Sequence, residues 1–314
     1  MRKKVVAVFL IVIVLIAAAF YPVKQNSTIT INATFDNTFL QVMHIENWKN
    51  WYPDIRNAYE DHPGAYHISP DNSKKNYSIA IPGKKLSIHV ITPMVYNVTE
   101  TGNNSVNTFA FTVFPGEEHG QMKIFFERKV PLIFTLFNKN DSDNNPLQGL
   151  KNYLETPEEF YGYNIKMSEI KDPIIASLVF KSLQNDIFIK MPKKREELVN
   201  YIKKNNLQKT GYISVSYIPL LHDSIQITVG IPVDKIATPD QEIKCLSLPA
   251  KGRVLVADYK GIFSDRQKVY QAMTKYLTDH TLSIPAESFE RYLNDSLPTS
   301  DSSQINMQLN FPVY

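Results

Sequence analysis

The sequence is short of the residues that usually announce chemistry. It holds one cysteine in 314 residues, Cys245, so no disulfide can form within the chain and the redox compartment stays open. Cys245 has no neighbouring histidine and lies in a largely apolar stretch, which reads as a structural thiol rather than a nucleophile. The histidines of the N-terminal half, His62 and His67 among them, have no companions to supply the converging donors that a metal site needs. No metal and no cofactor are expected. The formal net charge is only +3, too weak for the basic stripe of a nucleic-acid-binding surface. The run Lys193-Lys194-Arg195 is followed at once by Glu196-Glu197 and reads as a solvated helix face, so no nucleic-acid partner is expected.

What is present begins with an N-terminal signal. Arg2-Lys3-Lys4 precede an unbroken apolar run from Val5 to Tyr21. As a helix that run spans about 25 Å, near the lower limit for crossing a membrane. Residues 1–24 are expected to be a membrane anchor or signal segment. The basic residues would stay in the cytoplasm and the rest of the chain would lie outside it. Ala17-Ala18-Ala19 also suits signal-peptide cleavage, but the run is long for a signal core and bulky Phe20-Tyr21 follow, which favours an uncleaved anchor. A cleaved segment would leave the protein periplasmic. Asn26-Ser27-Thr28, Asn32-Ala33-Thr34 and Asn97-Val98-Thr99 match the N-glycosylation pattern, a weak signal in an Asn-rich chain.

From residue 27 the pattern is that of a folded domain. Ile29, Ile31 and Ala33 alternate with polar residues, as a half-buried first strand requires. Asp36 or Asn37 is placed to cap a short helix carrying Phe39, Leu40 and Met43, and Pro53 is expected to stop further helix. Strand-like runs follow at Tyr77–Ile81, Leu86–Tyr96, Val106–Phe114 and Met122–Glu127. Pro93 marks the second run as an edge or interrupted strand. A turn at Gly116-Glu117-Glu118-His119-Gly120 separates the last two, giving an antiparallel meander. The charge in that turn reads as solvated rather than catalytic. Pro146 to Glu155 reads as a helix with Leu147, Leu150 and Leu154 on one side.

The order strand, short helix, Trp-x-x-Trp-x-Pro, strands and late helix resembles the START-like or polyketide-cyclase-like superfamily over residues 27–158. Asn47-Trp48-Lys49-Asn50-Trp51-Tyr52-Pro53 carries most of the likeness. The resemblance implies a helix-grip fold, a curved antiparallel sheet around a long helix enclosing an apolar cavity, although the terminal helix here looks short. Trp48 and Trp51, the only tryptophans, are expected either to pack helix against sheet or to contact a ligand.

Residues 162–314 contain a phrase that occurs twice. Ser214-Val215-Ser216-Tyr217, followed by Ile227-Thr228-Val229-Gly230-Ile231-Pro232-Val233, is answered by Phe289-Glu290-Arg291-Tyr292, followed by Met307-Gln308-Leu309-Asn310-Phe311-Pro312-Val313. A period of roughly 75–80 residues is too long for a solenoid unit and points to one domain built from two halves. Each half reads as strand, helix, strand, strand. In the first these are Ile174–Phe180, Lys193–Lys204, Tyr212–Tyr217 and Ile225–Ile231. In the second they are Arg253–Tyr259, Asp265–Thr278, Phe289–Tyr292 and Ile305–Phe311. The repeated phrases, with Val256-Ala257-Asp258-Tyr259-Lys260-Gly261-Ile262-Phe263, resemble the gyrase-inhibitor-like effector-binding domain.

That resemblance implies a groove between the halves, lined by aromatics, with an acidic residue near the last strand that meets cationic ligands or supports hydrolysis. The position of the acid falls on Gln308, which can neither neutralise a buried cation nor act as a base near neutral pH. Glu290 is the nearest carboxylate able to substitute. Tyr217 and Tyr292 are expected as a symmetric pair of aromatic walls or as paired core residues, with Phe263 beside them.

The whole is therefore expected to be α+β: an N-terminal transmembrane helix, a helix-grip START-like domain and a duplicated β-α-β-β effector-binding domain. The expected function is a membrane-anchored, extracytoplasmic binding protein for small hydrophobic or aromatic ligands. The expected ligand-binding residues are Tyr217, Tyr292, Gln308, Glu290, Phe263, Trp48 and Trp51, with no catalytic residue assigned. The alternative is a hydrolase or cyclase acting on a small hydrophobic compound, which needs an acid in the groove.

Overall fold

The computed structural model describes residues 19–133 and 145–314, apart from 74, 104, 119, 241 and 250. The chain divides between Thr156 and Pro157 into two compact units.

The N-terminal unit runs β1 (Pro22–Ile31), α1 (Phe35–Met43), α2 (Trp48–Trp51), α3 (Pro53–Asp61), β2 (His67–Pro70), β3 (Asn76–Ile81), β4 (Lys84–Thr92), β5 (Val95–Gly102), β6 (Val106–Pro115), β7 (Met122–Pro131) and α4 (Leu147–Glu155). The strands form one antiparallel sheet in the order β1-β7-β6-β5-β4-β3-β2. Thr34 caps α1 by accepting from the Asn37 backbone N–H, so the cap precedes the two residues expected to supply it. Helix α2 does end before Pro53, but the same residue opens α3 at the first helical position, where its missing N–H is no loss. The run Leu86–Tyr96 is two strands, because Pro93-Met94 make the turn of the β4–β5 hairpin. Helices α2 and α4 touch backbone to backbone: a Cβ at Gly149 would lie 2.1 Å from the Trp51 carbonyl oxygen. At nine residues α4 is too short to be the long helix of a grip fold.

The N-terminal transmembrane helix is not supported. Among the described residues no helix is long and apolar enough to cross a membrane. Pro22, Val23 and Lys24, assigned to that segment from sequence, open β1 opposite Pro131, Val130 and Lys129, and Lys24 pairs with Glu127 at 3.0 Å. Residues 1–18 lie outside the described residues, as does His119 of the charged turn. The fold is α+β with two antiparallel sheets.

The C-terminal unit runs α5 (Pro157–Tyr161), β8 (Ile165–Glu169), β9 (Ile174–Leu183), α6 (Ile187–Lys204), β10 (Ser214–Pro219), β11 (Ser224–Pro232), β12 (Ile243–Ser247), β13 (Arg253–Ile262), α7 (Gln267–Asp279), β14 (Phe289–Tyr292) and β15 (Gln304–Pro312). Helix α6 starts six residues before Lys193. Pro192 lies inside it, and the buried pair Ile187 and Met191, one turn apart, holds the added turns against the core. The sheet order is β12-β9-β11-β10-β14-β15-β13-β8. It reads the same from either end: each half contributes three strands, and β12 and β8 flank them. The halves meet along β10 and β14, where Val215 faces Glu290 and Ser214 faces Arg291. Val215 and Glu290 hold equivalent places in the repeated phrase, so the pseudo-twofold axis passes through that pair.

Side chains alternate across the sheet. One face carries the core, with Val215, Val229, Leu255, Met307 and Leu309 buried together with Leu198 and Met191 of α6 and Val269 and Met273 of α7. The other face has no helix among the described residues. It presents Ser214, Ser216, Thr228, Phe289, Arg291 and Gln308.

Candidate functional site

On the helix-bearing face of the C-terminal unit, Glu290 is fully buried. Its neighbour in the ladder is Val215, so the carboxylate needs partners from the helices. Arg266 and Tyr270, one turn apart at the start of α7, supply two. The Arg266 Nε donates to Oε1 at 2.8 Å and the Tyr270 hydroxyl donates to the same oxygen at 3.0 Å. The Tyr292 hydroxyl donates to Oε2 at 2.5 Å. The Tyr217 hydroxyl lies 3.3 Å from that of Tyr292, and the two repeat-equivalent tyrosines meet tip to tip. The Arg266 guanidinium lies over the Phe263 ring at 3.5 Å and near the Tyr217 ring at 5.3 Å. Phe188 of α6 packs edge-on against Phe263.

The electrostatics follow from this packing. Burial works against the charged Arg266, but Glu290 and the adjacent tyrosines more than offset it, and the guanidinium is held more firmly protonated than usual. Burial first, then the Glu290 charge, raises the Tyr217 and Tyr270 phenols far above their ordinary range. Burial, then Tyr217 and Glu290, does the same to Tyr292. All three phenols are therefore neutral donors at physiological pH. Glu290 accepts three hydrogen bonds, one of them from a permanent cation, so both of its oxygens are engaged by protein donors.

The structure thus brings Tyr217, Tyr292, Glu290 and Phe263 into one cluster and leaves Gln308 out of it. Gln308 pairs across the ladder with Arg291, on the opposite face, and its Nε2 donates to Asp258 at 3.0 Å. Arg266 and Tyr270 were missed from sequence. Their i, i+4 spacing at a helix start, in register with Val269 and Met273, was the available signal.

The opposite face holds an apolar cavity of about 460 Å³. Its walls include Ile175, Ile218, Leu246, Pro249, Phe289 and Tyr314, and its floor is made of small residues, Ser177, Ser214, Ser216, Thr228 and Gly230. Gly230 is needed there: a Cβ would come 2.7 Å from the Ile175 Cγ2. The Ser216 and Ser214 hydroxyls donate to the carbonyls of Ser288 and Gly230, so their lone pairs stay available to a guest. A smaller polar pocket of about 180 Å³ adjoins it, with Ile170 and Phe289 shared as walls, and contains Lys166, Lys171, Arg291 and Gln308.

In the N-terminal unit, Trp48 and Trp51 are buried and their indole N–H groups donate to the Val42 and Gln41 carbonyls at 2.9 and 3.0 Å. With Tyr52, Tyr96 and Phe111 they form an aromatic stack between α2 and the sheet. Neither tryptophan lines this unit's cavities of about 430 and 390 Å³; the walls of the larger are mainly polar, with Asp54, Lys84, Glu100 and Arg128 beside Tyr52. Glu100 accepts from the Tyr52 hydroxyl, and Lys84 pairs with Asp54. Cys245 is half-buried in β12 with the Tyr201 hydroxyl 3.8 Å from its sulfur. Among the described residues no three His, Cys, Asp or Glu side chains converge as metal ligands would.

No protein-family model and no curated protein matches the sequence. Solved structures with a likeness include the C-terminal domain of EcmrR, at 18% identity over 48% of this chain and 98% of that one, TM-score 0.41. SAV2435 bound to tetraphenylphosphonium matches at 15% identity over 48% of this chain and 93% of that one, TM-score 0.31. A START superfamily protein from Mycobacterium smegmatis matches at 12% identity over 42% of this chain and 97% of that one, TM-score 0.30. All three likenesses are too low to identify a family.

Proposed function

We propose that the C-terminal unit is a binding module for small hydrophobic or aromatic molecules, and that the ligand occupies the cavity on the open face of the sheet. The observation that carries this reading is the cavity itself. About 460 Å³ lies within the roughly 300–1,000 Å³ usual for small-molecule sites, and apolar walls over a hydroxyl-bearing floor are the usual construction of such sites. The reading is tested by titrating the full chain with the uncharged fluorophore N-phenyl-1-naphthylamine. Thr228→Trp fills the floor and is expected to weaken binding at least tenfold. Unchanged binding in that variant would show that the cavity is not the site.

A second reading is favoured by the buried Glu290–Arg266 pair. An ion pair inside a core is weak evidence for stability and is often retained for another reason. Here that reason is an aromatic ligand that enters between Phe263, Tyr217 and Tyr292 as Arg266 withdraws. Tyr217→Ala would then weaken dye binding while Thr228→Trp would not. A hydrolase or cyclase is disfavoured in either case, since Glu290, the carboxylate of the cluster, is saturated with donors.

A further inference from the structure

Arg291 follows Glu290 in β14 and so points to the other face, where its Nε is unsatisfied. Its Nε is buried from solvent and has no hydrogen-bond partner among the described residues. A guanidinium is always charged. A buried charged donor without an acceptor is costly, and in native structures such a group calls for an explanation, an absent ion or ligand being one. Among the described residues no acid is bonded to Arg291. Asp258, the nearest acid along the ladder, meets Gln308 at 3.0 Å and Lys166 at 3.8 Å. Glu169 lines the same pocket, and Glu287 lines the adjoining cavity, where Arg253 adds a second guanidinium. Lys171 adds a further positive charge to the lining.

Arg291 also sits beside the apolar cavity, because Phe289, two residues earlier on the same face of β14, walls both spaces. We propose that the open face of this sheet binds an amphipathic monoanion, an aliphatic or aromatic carboxylate. Its apolar body lies between Ile218, Leu246 and Pro249, and its carboxylate accepts from the Arg291 fork. The inference rests on the cavity reading above and adds the charge of the guest. The buried, unbonded Nε of Arg291 lacks an acceptor, and a planar guanidinium fork suits a carboxylate.

The test compares octanoate with 1-octanol by calorimetric titration of the full chain. Octanoate is expected to bind about 10–100-fold more tightly, the range of a charge-assisted hydrogen bond. Arg291→Gln should remove that preference, and Thr228→Trp should weaken both. The preference in the unmodified chain should also shrink with added salt, a readout that needs no variant. Equal affinities, a preference that survives Arg291→Gln, or one insensitive to salt would overturn the carboxylate assignment while sparing the cavity. If neither molecule binds the unmodified chain, the cavity reading itself falls.

Discussion

Glu290 and Arg291 are neighbours in sequence and opposites in circumstance. One points into the core, where Arg266, Tyr270 and Tyr292 satisfy it completely. The other points to the helix-free face, where a partly buried cation finds no acceptor. The same strand thus presents a finished electrostatic arrangement on one side and an unfinished one on the other. The contrast teaches that charge alone does not mark a binding site. The closed side holds a charged pair and more aromatic surface, yet its groups are bonded to one another. The open side has room and an unmet hydrogen bond.

The contrast can be broken most directly at Glu290. Glu290→Ala strands the Arg266 guanidinium, whose side chain is only 12% exposed, and should cost about 3–5 kcal/mol in urea unfolding. A loss no larger than that of a surface substitution would mean the cluster is not the closed network described. Tyr292→Phe keeps the ring and removes one donor to Glu290, for an expected loss of about 1–3 kcal/mol by the same measurement. The pH dependence is smaller and has a fixed sign. The folded-state values of Tyr217, Tyr270 and Tyr292 are raised, so their contribution is complete below the unfolded tyrosine value of about 10. It is lost as pH climbs above that, because the unfolded chain ionises first. Stability should therefore fall with rising pH beyond about 10, and less steeply in Tyr292→Phe. Smallest of all, Arg291→Ala should change stability by no more than about 0.5 kcal/mol, or raise it, since no native bond is lost. A cost comparable to that of Glu290→Ala would show that Arg291 is already satisfied.

The duplicated halves were legible because both copies keep strand alternation and helix periodicity, and Phe289–Tyr292 begins and ends where the sequence placed it. Strands β8 and β12, at the two margins of the sheet, were not seen. They are five residues each with mixed burial, and nothing local separates them from loop. Pro53 was expected to stop further helix; α2 does end before it, but the same proline opens α3, where Ile55 is buried. The start of α6 was placed at Lys193, six residues late, because burial of Ile187 with Met191 carries the helix through Pro192. The anchor or signal segment was bounded at residue 24, whereas Pro22 to Lys24 are committed to pairing with β7. Of the site, the aromatic residues and Glu290 were visible as types in a repeated phrase. Gln308 was placed beside them by alignment, and a period of two decides otherwise: it is on the far side of the sheet. The tryptophans, conspicuous by rarity, prove to be packing residues with spent N–H groups.

The pairing of Val215 with Glu290 at the seam has one more consequence. In two identical subunits related by a true dyad, whatever stands on the axis meets its own copy. A glutamate there would face a glutamate, and like charges directly opposite in a ladder repel. A symmetric ancestor could not carry this residue at this place without a proton or a bound cation between the two. Covalent fusion removes that veto, since each copy can then mutate alone. One half keeps a neutral valine and the other takes the charge. The asymmetry on the axis is what two joined halves can do and two separate ones cannot.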